Sequence, residues 1–195
     1  MFDFDEILRF KRINVIGTSG SGKSTLAREL EGILDIPFHQ MDQLHWQANW
    51  QPATNEQLFA SVREITSRDN WILDGNYSST TALKWQRVQL VIWLDLSFIR
   101  TVTRVLTRTV RRIRSGEEIW PGTGNRETWK DSFASWDSVI WWSITTHHKN
   151  RRQYEKLMKS PDYPHIKFIR LTSAKCVDSF VDGLRSAMQK RQSLV

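Results

Sequence analysis

Residues 11–24 read KRINVIGTSGSGKS. Lys11 to Ile16 is a short β-branched, apolar run, the pattern of a buried strand. Residues 17–24 then match G-x-x-x-x-G-K-[ST], and Leu26, Leu30, Ile33 and Leu34 follow at helical spacing over residues 23–34. Strand, glycine-rich loop and helix in that order form the context in which this pattern binds phosphate. Inward-pointing N–H groups of the loop cradle an anion, and the helix N-terminus adds its dipole. Gly17, Gly20 and Gly22 permit the backbone path, while Thr18, Ser19 and Ser21 complete the ring. Lys23 is expected to bridge the β- and γ-phosphates, Ser24 to bind Mg²⁺ and Thr25 to add a phosphate contact.

Working outward, residues 37–42, 71–74 (WILD), 90–95 (LVIWLD) and 166–171 read as further strands. Helices are expected from a Thr54–Gln57 capping box to about Ser67, from after Asp95 to Arg114, over residues 130–158 with a possible break at Asn150, and after a Ser173 cap. Strands alternating with helices predict an α/β three-layer sandwich around a parallel sheet of about five strands. Its strand C-termini would line one ligand-binding edge, bringing Gly17, Asp42, Asp74 and Asp95 together. Asp74 is the favoured carboxylate for metal-bound water, because Asp74-Gly75 ends its strand abruptly. Asp95 serves either the same purpose or as a helix cap.

The chain of 195 residues carries 28 Lys+Arg against 21 Asp+Glu, a net charge of +7, and its 39% hydrophobic content excludes a disordered chain. It reads as one domain, residues 1–195. A single Cys, Cys176, excludes an internal disulfide and a Cys-built zinc site, and is read as structural. No apolar run of membrane-spanning length and no signal-peptide pattern occur, so a cytoplasmic setting without membrane partners is expected.

Arg100, Arg104, Arg108 and Arg112 recur every four residues. Such a stripe without interleaved acids is mildly self-repelling and suits anion binding, with Arg104 and Arg108 the favoured pair. Residues 115–125 hold three Gly and one Pro, a loop. Asp42 and His45 form either an acid–base pair for an acceptor hydroxyl or a turn cap beside a surface histidine. Trp46, Trp50 and Tyr77 are candidates to stack on an acceptor ring, and Trp71 and Trp93 are core candidates. Trp136, Trp141 and Trp142 would pack the core or a partner. His147, His148, Lys149, Arg151 and Arg152 form a basic stretch, read as a solvated face, with nucleic acid the less favoured use.

The phosphate loop, FHQMDQLHW, WILDGNY and VIWLDLS with its spaced-Arg helix occur in that order. As a set they resemble nucleoside-monophosphate-kinase-like P-loop proteins, and more closely the adenylate-kinase-related topology modulation group. The resemblance implies that Asp74 orders Mg²⁺-bound water, that Arg104 packs on adenine, that Arg108 contacts phosphate and that residues 115–130 are a short Arg-rich lid bearing Arg126. The loop after Leu171 would meet the adenine edge. Adenylate kinases bind the acceptor phosphate with an Arg after their LDG, where this chain has Asn76, Tyr77 and Ser78, which argues against AMP as acceptor. The expected function is transfer of the ATP γ-phosphoryl to a small-molecule or nucleotide acceptor, with Lys23, Asp42, Arg108 and Arg126 as catalytic residues. The alternative is a nucleotide-binding regulatory or nucleic-acid-associated protein. A GTPase is disfavoured because no N-K-x-D motif is present.

Overall fold

A computed structural model describes residues 2–75, 77–134 and 139–193, with the side chains of residues 134, 139 and 142 outside that description. Five strands, β1 (Arg12–Gly17), β2 (Phe38–Gln40), β3 (Trp71–Asp74), β4 (Leu90–Leu94) and β5 (Lys167–Leu171), form one sheet in the order β2-β3-β1-β4-β5. Every pairing is parallel. Around it lie α1 (Phe4–Ile7), α2 (Lys23–Leu34), α3 (Met41–His45), α4 (Asn55–Ser67), α5 (Thr81–Trp85), α6 (Phe98–Ser115), α7 (Val139–Met158) and α8 (Ala174–Gln192).

The strand sequences explain the layering. Alternate side chains of a strand point to opposite faces. Ile13 and Val15, Ile72, and Leu90, Ile92 and Leu94 pack on one face with Leu26, Leu30 and Leu34 of α2 and Phe180 and Leu184 of α8. Ile16, Trp71, Leu73, Val91 and Trp93 face the other way, onto Leu58, Val62 and Ile65 of α4, Trp85 of α5 and Tyr154 of α7. Both faces are thus covered, as a parallel sheet requires. The two tryptophans assigned to the core, Trp71 and Trp93, are buried.

One core position breaks the apolar pattern. Asn14 of β1 is fully buried, donates to the Leu73 carbonyl at 3.0 Å and accepts from the Trp85 indole at 3.0 Å. With both partners met, its burial is tolerable.

Several boundaries differ from the sequence reading. β2 ends at Gln40, and Asp42 lies in the first turn of α3. Within the expected helix over residues 130–158, the described residues form a π-helical turn, Lys130–Ala134, and α7, which runs through Asn150 without a break; residues 135–138 lie outside the description. The Thr54–Gln57 capping box and the Ser173 cap are both formed. Trp136 lies outside the described residues, as does the Trp142 side chain. Trp141 is 40% exposed, so it is not core. No helix among the described residues is long and apolar enough to cross a membrane.

Candidate functional site

The loop between β1 and α2 is shaped by close contacts that exclude side chains. Gly20 has φ +76°, and a Cβ there would lie 2.3 Å from the Thr101 carbonyl oxygen of α6. Only glycine fits such a site. α6 therefore presses on the loop from outside, and Arg104 Nη1 donates to the Ser21 carbonyl at 3.4 Å. The Ser21 hydroxyl is buried without a hydrogen-bond partner among the described residues.

Lys23 and Ser24 open α2 at the strand-end edge. Lys23 keeps part of its surface open, but protein crowds its ammonium, which donates to the Thr18 carbonyl at 3.0 Å. Burial lowers its pKa, Arg108 lowers it further, and Asp74 and Asp42 oppose the shift. The Ser24 hydroxyl donates to Asp74 Oδ2, while Asp74 Oδ1 accepts from the Met41 N–H at 3.1 Å. Asp74 is 3% exposed, and burial raises its pKa against the pull of Ser24 and Lys23. The hydroxyl and carboxylate chosen for metal binding therefore stand in contact. Among the described residues no three His, Cys, Asp or Glu side chains converge into a protein-only metal cage. The pair suits Mg²⁺, which keeps several waters and shares its ligands with phosphate oxygens.

Asp42 reaches the same edge from α3. Its Oδ1 accepts from the Tyr77 hydroxyl at 2.9 Å, the position that the sequence reading gave to His45. His45 instead packs its ring 5.0 Å from that of Tyr77, with Nδ1 buried and unpartnered among the described residues. Burial and the Asp42 carboxylate raise the Tyr77 pKa, so Tyr77 stays a proton donor. An aromatic chain continues from His45 to Trp46 (4.8 Å), Trp50 (5.6 Å) and Trp120 (6.0 Å).

The arginine stripe divides. Arg104 lines a cleft of about 430 Å³ with Ser21, Gly22, Thr25, Leu94, Leu96, Ala174 and Val177. Arg108 is partly buried and its Nε lacks a partner among the described residues, while burial and Arg112 lower its pKa. Arg112 pairs with Glu127 at 2.9 Å, and Arg100 is exposed. The stripe is therefore less self-repelling than its sequence implies. Arg126 donates to the Gly116 carbonyl at 2.6 Å and lies 3.5 Å from Glu118, folded onto its own loop.

One acid and one histidine differ from expectation. Asp95 does not cap α6, whose N-cap is Ser97. It accepts from Arg170 Nε at 2.9 Å and pairs with Arg151 at 3.3 Å, with Arg170 4.4 Å over the Trp93 ring. Distant basic residues thus claim the carboxylate. His147 is 3% exposed, with Nε2 3.3 Å from the Leu96 carbonyl, so it leaves the basic stretch for the interior. Cys176 is partly buried against the core, and its backbone N–H is held by the Ser173 cap.

Sequence reasoning missed Lys84. Its side chain is buried beneath the site, 3.4 Å from the Gly75 carbonyl. Burial lowers its pKa to about 8, with Asp74 opposing. At neutral pH the folded chain must keep this ammonium buried. The penalty is full below the folded pKa of about 8 and disappears as pH rises through the unfolded value near 10.4. Relative to Lys84→Met, the wild type should gain about 3 kcal/mol of stability between pH 8 and 10.5. Paired denaturant titrations would show it, and parallel curves for the two proteins would contradict it.

No family model matches the chain, and no curated protein matches it. Solved structures do. One is a shikimate kinase from Acinetobacter baumannii in complex with shikimate, at 16% identity and TM-score 0.50, covering 98% of this chain and 96% of that one. Another is a gluconokinase from Sinorhizobium meliloti 1021, at 16% identity and TM-score 0.49, covering 92% of each chain. The first likeness, read with the parallel sheet and the loop after β1, places the fold in the P-loop NTPase α/β class.

Proposed function

We propose that this chain is a P-loop kinase of the adenylate-kinase-related topology modulation branch, moving the γ-phosphoryl of ATP to a hydroxyl of a small-molecule acceptor. The observation that carries the reading is the Ser24–Asp74 contact beside Lys23, with Asp42 held by Tyr77 across the same edge. A donor-side cation, a metal-type pair and an acceptor-side base converge at one point.

ATP phosphates would lie in the 17–24 loop on its N–H groups, with Lys23 exchanging the Thr18 carbonyl for phosphate oxygen. The 430 Å³ cleft, lined by Arg104 and Ala174 among others, would take the base. Ser24, and water on Asp74, would hold Mg²⁺, which supplies charge neutralisation to the phosphates. The Tyr77 O–H fixes Asp42 through Oδ1, leaving Oδ2 to take the acceptor proton. The acceptor oxygen then bonds to the γ-phosphorus, the bond to the β–γ bridging oxygen breaks, and ADP leaves. Lys23 and Arg108 meet the developing charge. Arg126 joins them when the lid turns inward.

The nucleic-acid reading has less support, because His147 is buried and Arg151 is paired with Asp95. Arg108→Ala and Arg126→Ala should each cut turnover by about a hundredfold while weakening ATP binding far less, because the clamp acts as charge develops. Steady-state kinetics beside direct ATP titration separates the two effects. Equal losses in both would make these arginines binding groups only, and unchanged turnover would remove them from the site.

A further inference from the structure

The glycine-rich segment after α6 is not a loose flap. Gly116, Gly122 and Gly124 have φ of +62°, +81° and +72°. The turns they make are closed by hydrogen bonds from the Ile119 N–H to the Asn125 carbonyl (2.9 Å) and from the Gly122 N–H to Glu118 Oε2 (2.8 Å). The folded segment is seated on the loop that follows α3.

Asn125 makes that junction. It is fully buried. Its Oδ1 accepts from the Trp50 N–H at 2.6 Å and its Nδ2 donates to the Gln47 carbonyl at 2.9 Å. The Asn49 N–H donates to the Thr123 carbonyl at 3.0 Å, and the Trp50 indole to the Arg126 carbonyl at 3.1 Å. On the other side, Trp120 donates to Gln40 Oε1 at 3.4 Å.

The loop being gripped is strained. Asn49 and Trp50 have φ of 55° and 57°, two successive non-glycine residues in the left-handed region. A tryptophan stays there only where surrounding structure enforces it. The two Asn125 bonds bracket this pair, at Gln47 and Trp50. Gly124 beside it is favoured as glycine by its φ of +72°.

We propose that Asn125 is a positioning residue that joins residues 47–53 and 116–127 into one moving body. Closing the lid over the phosphates and building the Trp46–Trp50–Trp120 wall of the acceptor side are then a single event. The coupling to nucleotide rests on the kinase reading above; the joining of the two segments does not. The device would admit the acceptor only with the lid, and so limit transfer to water.

Hydrogen exchange tests it in the full chain, wild type against Asn125→Ala. Without ligand, loss of both side-chain bonds should speed exchange roughly tenfold or more in residues 47–53 and 116–127 together. Acceleration confined to 116–127 overturns the proposal. With a non-hydrolysable ATP analogue and Mg²⁺, residues 47–53 should gain protection in the wild type and not in Asn125→Ala, at similar analogue affinity. Protection of 47–53 in both proteins would overturn the coupling. If the wild type binds no analogue, the kinase reading fails, and the ligand-free comparison still decides whether the segments move together. Should Asn125→Ala fail to fold, Trp50→Phe removes the indole bond to Arg126 and part of the ring contact with Trp46 and Trp120, keeps the backbone bond to Asn125, and should accelerate both segments together by a smaller factor; an effect on one alone counts against the proposal.

Discussion

Lys23→Ala should lose ATP turnover by about a thousandfold or more, with nucleotide binding falling sharply as well. The folded state should remain, because among the described residues the ammonium is bonded to the Thr18 carbonyl alone, and its removal relieves a crowded charge. Melting within about 3 °C of the wild type, beside a lost ATP titration, is the expected pair of results. The variant separates the loop's two contributions. Backbone N–H groups and the helix dipole persist, so inorganic phosphate should still bind weakly. Normal ATP affinity and activity in Lys23→Ala would remove the lysine from the site.

Asp42→Asn should leave ATP affinity within about twofold and lower acceptor phosphorylation by about 10²–10⁴-fold, the usual worth of a positioned base. The amide is isosteric and can still accept from Tyr77, so the pocket keeps its shape. Only proton acceptance is removed. Tyr77→Phe is the companion: it leaves the carboxylate but frees its orientation, and should cost a smaller factor. ATP titration with steady-state rates for both variants makes the comparison. If Asp42→Asn matches the wild type in rate, the base lies elsewhere and the Asp42–Tyr77 pair is structural.

Local chemistry was legible in the chain, and chemistry assembled over long separations was not. The phosphate loop is a contiguous backbone device, so residues 17–24 could be read directly. Asp74 could be chosen because Asp-Gly ends a strand beside that loop, and its contact with Ser24 follows from the β3–β1–β4 order. Asp42 was placed on the right edge with the wrong partner. His45 is one helical turn away in sequence, whereas Tyr77 arrives from the loop after β3. Asp95 was read as a metal carboxylate or a helix cap because its partner Arg170 lies far along the chain, on β5, and reaches it from the strand beside β4. The Arg stripe looked uncompensated because Glu127 sits beyond the glycine-rich turn. Asn125 gave no sequence signal, since its bonds run to the backbone N–H of Trp50 and carbonyl of Gln47, groups that almost any residue type could have supplied.

The central claim is transfer of phosphoryl from ATP to a hydroxyl. γ-Labelled ATP with Mg²⁺, incubated with nucleosides, nucleotides, sugars and amino-alcohols in turn, tests it when both ADP and the fate of the label are followed. The account predicts one acceptor class that speeds ADP release and carries the label in equal amount, with both signals abolished in Lys23→Ala. ATP bound in a Lys23-dependent way, but with ADP release unchanged by every acceptor and all label appearing as inorganic phosphate, would contradict it.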